Sequence, residues 1–315
     1  MAWISVITDE ENSLTKHFSL DKEGKLQKSA PGHLVKGTIE AFDLDPVQLI
    51  EKIKGLSKNQ CLCLGVLDTP ENQEILCGKL AQDGQPTRSK DHLNFFPGSS
   101  YLLLDFDDSG KSPEEAIQIL AEIDPQFDSC GLAVIPSSSS YIYREDGKQV
   151  IGEGNFHIFV PLSGDRDPNE YGNLLFEKLL LKGFCNPMVT KAGTIVVKSL
   201  FDKVVLSPER EIFSADPVCK KPLISKRLDH VEWQEGPDLN SDLLPGVSGE
   251  QSMELRLKLK EIRESLESQA NKVRQEYYVQ LAKVKAKLTG SHYLKELPTI
   301  PDTPVLYDKQ GRPIL

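Results

Sequence analysis

Apolar positions fall into short runs over the first 228 residues and take up a helical spacing after residue 250. ISVI near the N-terminus and CLCLGVL around residue 64 read as buried strands, and Pro46 to Leu56 reads as a helix before a polar loop through Gly84 and Pro86. From Tyr101 the pattern sharpens into strand YLLLDFD, a helix from Pro113 to Ile123 capped by Ser112, and strand GLAVIP. The hairpin YIYREDGKQVIG follows, with Asp146-Gly147 at its turn, a pair suited to a tight reversal. Strand NFHIFVPL, a helix from Pro168 to Leu181, and two extended runs, TIVVKSLF and KVVLSP, complete this part.

The order β-α-β-β-α-β predicts a sheet with helices on one face, like an RNA-recognition-type (RRM-like) fold. Past Leu228 the segment DHVEWQEGPDLNSDLLPGVSG has the composition of a linker. In the charged stretch beyond it, Leu255, Leu266, Tyr277 and Leu288 stand eleven residues apart, a period that keeps one stripe on a nearly straight helix. Such a stripe suits core packing or a partner helix better than chemistry. The proline-bearing LPTIPDTPVLYDKQGRPIL predicts a loosely ordered tail. The expected class is α+β: a catalytic domain over 1–228 (N-terminal α/β module about 1–98, RRM-like half about 99–228), a linker over 229–249, and a helical accessory segment and tail over 250–315.

Charge and cysteine content narrow the reading. A formal charge of −10 excludes a surface that is basic throughout, so any nucleic-acid contact has to be local. The best local candidate runs from Lys182 to Arg227, where nine Lys and Arg outnumber four Asp and Glu. Six scattered cysteines lack zinc-knuckle spacing and read as free thiols in a reducing compartment, with Cys61 and Cys63 as buried core residues. No run approaches the roughly 20 apolar residues of a membrane helix, which leads to the expectation of an intracellular, cytoplasmic protein.

The chemistry-bearing residues cluster in three places. Asp105 and Asp107 end an apolar strand two residues apart, so both carboxylates share one face, a hard-oxygen pair suited to magnesium or manganese. Asp108, next to Ser109-Gly110, reads as a turn residue. His157 lies in GEGNFHIFVPL, on a strand that the hairpin connection can lay beside Asp105, where its ring could donate to a phosphate oxygen. In FDKVVLSPEREIF, Asp202 and Glu209 compete as a third acid, and Arg210 has the geometry to clamp phosphate or to sit in a surface ion pair.

Asp105-Phe106-Asp107 after an apolar strand, Asn155-Phe156-His157, and Phe201-Asp202 together resemble the three signature motifs of the archaeo-eukaryotic primase superfamily. The stretches PSSSSYIYREDGKQVIGEGNFHIFV and FDKVVLSPEREIF are similar to phage- and plasmid-encoded primase-polymerases in particular. The resemblance covers roughly Arg88 to Val218 and departs from the family at Asn155, where serine is common. It implies a DNA-template-directed nucleotidyltransferase that makes or extends primers. Asp105, Asp107 and Asp202 would bind Mg2+ or Mn2+, and His157 would contact the triphosphate of an NTP or dNTP, with Ser138 and Arg210 as further phosphate contacts. The implied partners are single-stranded DNA and a replicative helicase or helicase domain. The chain itself has no GxxxxGK[ST] sequence. Three rivals remain: a metal-dependent glycosyltransferase using the same DxD, a phosphatase with Asp105 as nucleophile, and a catalytically silent replication adaptor.

Overall fold

The structure, a computed structural model, describes residues 1–68, 73–82, 84–107, 109–289, 306–307 and 313–314. For residues 282–289 and the last two pairs it describes the backbone alone. Asp108 and most of the expected tail lie outside the described residues.

The chain opens with β1 (Ala2–Asp9), β2 (His17–Leu20), β3 (Leu26–Ser29) and β4 (Lys36–Leu44). Helix α1 (Pro46–Lys54) starts where Asp45 accepts from the Gln48 amide and the Gln48 side chain bonds back to the Asp45 amide, a reciprocal cap. Next come β5 (Gln60–Cys63), β6 (Gln73–Leu76), β7 (Ser99–Phe106), α2 (Pro113–Ala121) and β8 (Leu132–Pro136). Ser112 and Glu115 make the same reciprocal cap on α2, as the sequence predicts. The expected hairpin forms as β9 (Ile142–Arg144) and β10 (Gln149–Ile151), with Gly147 at φ +86°, a conformation glycine adopts without strain.

Beyond it lie β11 (Phe156–Ser163), α3 (Pro168–Leu181), β12 (Asn186–Val189) and β13 (Ile195–Lys198). The C-terminal third adds β14 (Val218–Cys219), β15 (Leu223–Ser225), β16 (Glu232–Gln234), β17 (Leu239–Asn240) and α4 (Gly249–Thr289). A last pair, β18 (Leu306–Tyr307) and β19 (Pro313–Ile314), is antiparallel. The described fold is thus mixed α and β, with several sheets and four α-helices, one of them near the C-terminus. None of the described helices is long and apolar enough to cross a membrane.

One sheet organises the larger of two units, residues 1–184 and 199–249. Its strand order is β16-β8-β11-β7-β1-β4-β6, with β5 also paired to β1 and β17 to β11. The first module therefore joins the 99–228 half through β1, which meets β7 in parallel at Trp3 and Ser100. On one face, Tyr101, Leu103, Ala133, Ile135 and Phe159 pack with Leu49, Ile50 and Ile53 of α1. Burying each such aliphatic side chain contributes about 1.5–3 kcal/mol, enough to fix which face turns inward. On the other face, Phe106 stacks on Phe156 at 4.7 Å between ring centroids and approaches Phe201, which meets Phe176 of α3. The buried Tyr171 hydroxyl of α3 donates to Asp124, just past α2, at 2.7 Å. Both helices of the β-α-β-β-α-β half thus lie on the Phe106 side, and α1 covers the opposite one.

Three expectations change. Residues 229–249 are not a linker: β16 pairs antiparallel with β8, and β17 runs parallel to β11. Short strands at a sheet edge need few apolar residues, so their Pro/Gly/Asp-rich composition hid them. KVVLSP is not extended, because Asp202 accepts a hydrogen bond from the Val204 amide and caps a 3-10 turn at Lys203–Val205. TIVVKSLF contributes β13, which pairs with β12 and groups with α4 in the second unit, residues 185–198 and 250–315, so the larger unit is not one continuous 1–228 segment.

Within that second unit, Gly193 sits at φ +76° in the β12–β13 turn, and a Cβ there would meet the Ala270 carbonyl at 2.6 Å. Only glycine permits so close an approach of turn to helix. Arg274 of α4 donates to the Gly193 carbonyl, and Ala270 is buried. Along the eleven-residue stripe Leu255 is buried, whereas Leu266 and Tyr277 are half-buried; Leu288 has no described side chain.

Candidate functional site

Strand pairing assembles the site at one end of β7. The antiparallel register of β7 and β11 sets His157 directly opposite Asp105. Opposed residues on adjacent strands project from the same face, and His157 Nε2 stands 3.4 Å from Asp105 Oδ1, with both side chains largely buried, at 12% and 15% exposed. Both lie beyond Leu103 and Phe159 on the face that α1 covers. Asp107 is exposed, one residue past the end of β7, and its Oδ1 accepts from Asn155 Nδ2 at 2.6 Å. Asp202 arrives by backbone: its amide donates to the Asp105 carbonyl at 2.8 Å.

Asn155, a departure in the sequence comparison, therefore has a defined task. Its side-chain amide orients Asp107, while its carbonyl accepts from the Ser137 amide at 2.8 Å and the Ser140 hydroxyl at 2.9 Å. One residue thus links the carboxylates to the serine-rich loop after β8. Ser138 lies on that loop, buried, and its hydroxyl has no hydrogen-bond partner among the described residues.

Lys16, which no sequence motif singled out, enters from the segment between β1 and β2. Its ammonium donates to Ser139 Oγ at 2.9 Å and to Ser137 Oγ at 3.4 Å. Burial holds it below the ordinary lysine range; the charges of Lys28 and Arg227 act in the same direction, and Asp107 and Asp105 oppose them. The first module, expected to carry no chemistry, supplies this cation. A lone lysine 121 and 123 positions from its serine partners leaves no local signal.

Beneath the loop, Arg227 is fully buried. It donates to the Pro136 carbonyl at 2.7 Å, to the Ser214 carbonyl, and to Asp216 Oδ1 at 3.1 Å. Burial pushes its guanidinium down to about 10, with Asp216 opposing the shift. Arg227 is therefore no part of a basic surface, and the Lys182–Arg227 stretch is divided between the two units.

Glu209 and Arg210 lie elsewhere. The Glu209 carboxylate accepts from Ser207, its carbonyl takes the Arg88 guanidinium, and Pro208 accepts from the Gly65 amide. Pro208 also lines a cavity of about 510 Å³ with Ser99 and Ser100, at the far end of β7. Asp105 lies five residue steps along β7 from Ser100, roughly 16 Å. Arg210 is exposed on the same turn as Glu209. Of the two acids left open by the sequence, Asp202 is the one beside Asp105.

Among the described residues no three His, Cys, Asp or Glu side chains converge as a ready-made ligand set. Magnesium is commonly held by one or two carboxylates together with substrate phosphates and water. The carboxylate oxygens of Asp105 and Asp107, two residues apart at the end of β7, are donors of the type such an ion takes. Compared with known proteins, the chain matches no family model, no curated protein and no solved structure.

Proposed function

We propose that the larger unit is a DNA-template-directed nucleotidyltransferase of the archaeo-eukaryotic primase superfamily, of the primase-polymerase kind carried by phages and plasmids. The observation that carries the reading is that Asp105 and Asp107 end β7 with His157 beside Asp105 on the neighbouring strand and Asp202 joined to Asp105 by a backbone hydrogen bond. The strand order β8-β11-β7, with α2 and α3 to one side, supports an RRM-like core for this half.

In this reading Asp105 and Asp107, with Asp202 beside them, would hold Mg2+ or Mn2+, which would supply Lewis acidity to lower the pKa of the attacking hydroxyl and offset charge developing at the α-phosphate. His157, oriented by Asp105, donates to the triphosphate of an NTP or dNTP. The primer 3′ hydroxyl gives its proton to solvent water and bonds to the α-phosphorus, the bond from that phosphorus to the α–β bridging oxygen breaks, and pyrophosphate leaves with the bridging oxygen. Asn155 fixes Asp107 for this task. Residues that orient metal ligands typically contribute roughly 10- to 100-fold to metal affinity or activity. Asn155→Ala is accordingly expected to weaken Mn2+ binding by about 10-fold, measured calorimetrically on protein whose circular dichroism is unchanged. The second unit, the β12–β13 hairpin with α4, is assigned to docking a helicase or the template.

The test incubates the protein with single-stranded DNA, labelled nucleotides and Mg2+ or Mn2+, with and without a primer. Labelled products that depend on template support the reading. Turnover of sugar nucleotides without template would replace it with the glycosyltransferase, and folded protein that makes no product on varied templates would favour the adaptor.

A further inference from the structure

Charge is divided unevenly between the two units. Residues 185–198 and 250–315 hold 14 of the 37 Lys and Arg but 9 of the 47 Asp and Glu, which leaves 23 cations against 38 acids in the larger unit. A polyphosphate backbone is attracted by the first balance and repelled by the second. Within the basic unit the charge also has a shape. Gly193 lets the β12–β13 turn approach α4 closely, and beside that contact Thr194 and Ile195 line a groove of about 480 Å³ along the helix. Arg256, Lys260, Arg263 and Arg274 line it too, at steps of four, three and eleven residues that keep them on one helix face over roughly 27 Å. Glu264 and Glu267 are its acids.

These cations are lightly engaged. Arg256 and Arg263 are exposed and have neither ion-pair nor hydrogen-bond partner among the described residues. Lys260 meets Glu264 at 3.7 Å in an exposed pair of the kind that contributes little. Arg274 donates to Asn271 Oδ1 and to the Gly193 carbonyl, which orients it and uses two of its five N–H groups. One turn further along the same face stands Tyr278, 40% exposed. Cations in line with an exposed ring are what a single nucleic-acid strand requires, phosphates on the cations and an unstacked base on the ring. A duplex offers no unstacked base, and an acidic peptide offers no base at all.

We propose that this groove binds a single nucleic-acid strand, its phosphates on Arg256, Lys260, Arg263 and Arg274 and a base on Tyr278. The inference deepens the docking role assigned to the second unit. Naming the strand a template rests on the nucleotidyltransferase reading, whereas the groove rests on the contacts above.

The experiment is fluorescence anisotropy of a labelled oligothymidylate titrated with the full chain, in EDTA to strip divalent metal, over a series of salt concentrations. Each phosphate contact on a single strand contributes about 0.7 to the slope of log affinity against log salt. Arg256→Ala/Lys260→Ala/Arg263→Ala is therefore expected to flatten that slope by about 2 and to weaken binding about 100-fold at about 0.1 M salt. Tyr278→Ala should cost about 5-fold or more with the slope unchanged. Lys54→Ala/Lys58→Ala/Lys221→Ala removes the same charge from exposed positions of the larger unit and should stay within about 2-fold of wild type. Melting curves accompany each titration, and glutamine replaces alanine at the three α4 positions if the alanine variant melts below wild type. Equal affinity of wild type and the folded α4 variant overturns the proposal, as does equal weakening by the larger-unit variant or a wild type that does not bind. A duplex bound as tightly as the single strand overturns the strand assignment. Polyglutamate displacing the probe as well as unlabelled oligothymidylate does would give the groove to an acidic protein segment instead. Binding that depends on the α4 cations, in a protein that incorporates no nucleotides, sustains the groove and overturns the nucleotidyltransferase reading alone.

Discussion

Nucleotide incorporation by the Asp105→Ala/Asp107→Ala double variant is expected to fall about a thousandfold or more below wild type. A metal ion at a phosphoryl centre contributes several kcal/mol to the transition state, and each 1.4 kcal/mol or so, about RT ln 10, is tenfold in rate. Removing both carboxylates of the β7 end removes the hard-oxygen pair and also the partner of His157 Nε2. The fold should survive, because Asp107 is exposed and the apolar residues of β7 are untouched. The measurement is gel-resolved extension of a labelled primer by equal amounts of the two proteins, with matched circular dichroism. Residual activity within about tenfold of wild type would place the chemistry elsewhere, since losing the ligands of a catalytic metal costs far more than that.

Arg227→Ala carries the largest expected cost in stability, roughly 2–5 kcal/mol, because it leaves two buried backbone carbonyls without their donor at about 1–3 kcal/mol each. Two backbone carbonyls, of Pro136 and Ser214, lose their donor, and Asp216 loses its guanidinium partner. A cavity the size of the side chain adds to the loss. Arg227→Met refills part of that volume but restores none of the hydrogen bonds, so it should recover only a fraction. Urea unfolding followed by far-ultraviolet circular dichroism measures both. A cost below about 1 kcal/mol for Arg227→Ala would mean that the guanidinium contributes no more than an exposed ion pair.

Elements specified by neighbours in the chain were legible from the residues alone. Helix α3 begins at Pro168 behind its Asp167 cap and ends at Leu181, as the pattern predicts. Helices α1 and α2 start at the expected prolines and stop two residues short of the expected ends, where fraying makes boundaries least distinct. The β9–β10 hairpin forms around Asp146-Gly147, and Cys61 and Cys63 are buried free thiols on β5. Asp105 and Asp107 were visible because strand periodicity is a property of one segment, and His157 because its hairpin connection is short.

What escaped was everything set by distant partners. Asp202 could not be separated from Glu209 until the backbone bridge to Asp105 was seen, because the loop that carries both acids holds no information about which strand it crosses. Arg227 looked like one basic residue among several, and its burial depends on carbonyls supplied by Pro136 and Ser214. Strands β16 and β17 take their form from the open edges of β8 and β11, so their own composition reads as linker. Lys16 meets Ser139 across 123 positions of sequence. Residue order along the chain was enough to specify the local elements and the candidate acids, since capping, turn chemistry and strand alternation act over a few residues. Which acid, cation and hydroxyls share a site was settled by the fold alone, because strand register and buried hydrogen bonds are made between segments whose order along the chain does not record their distance in space.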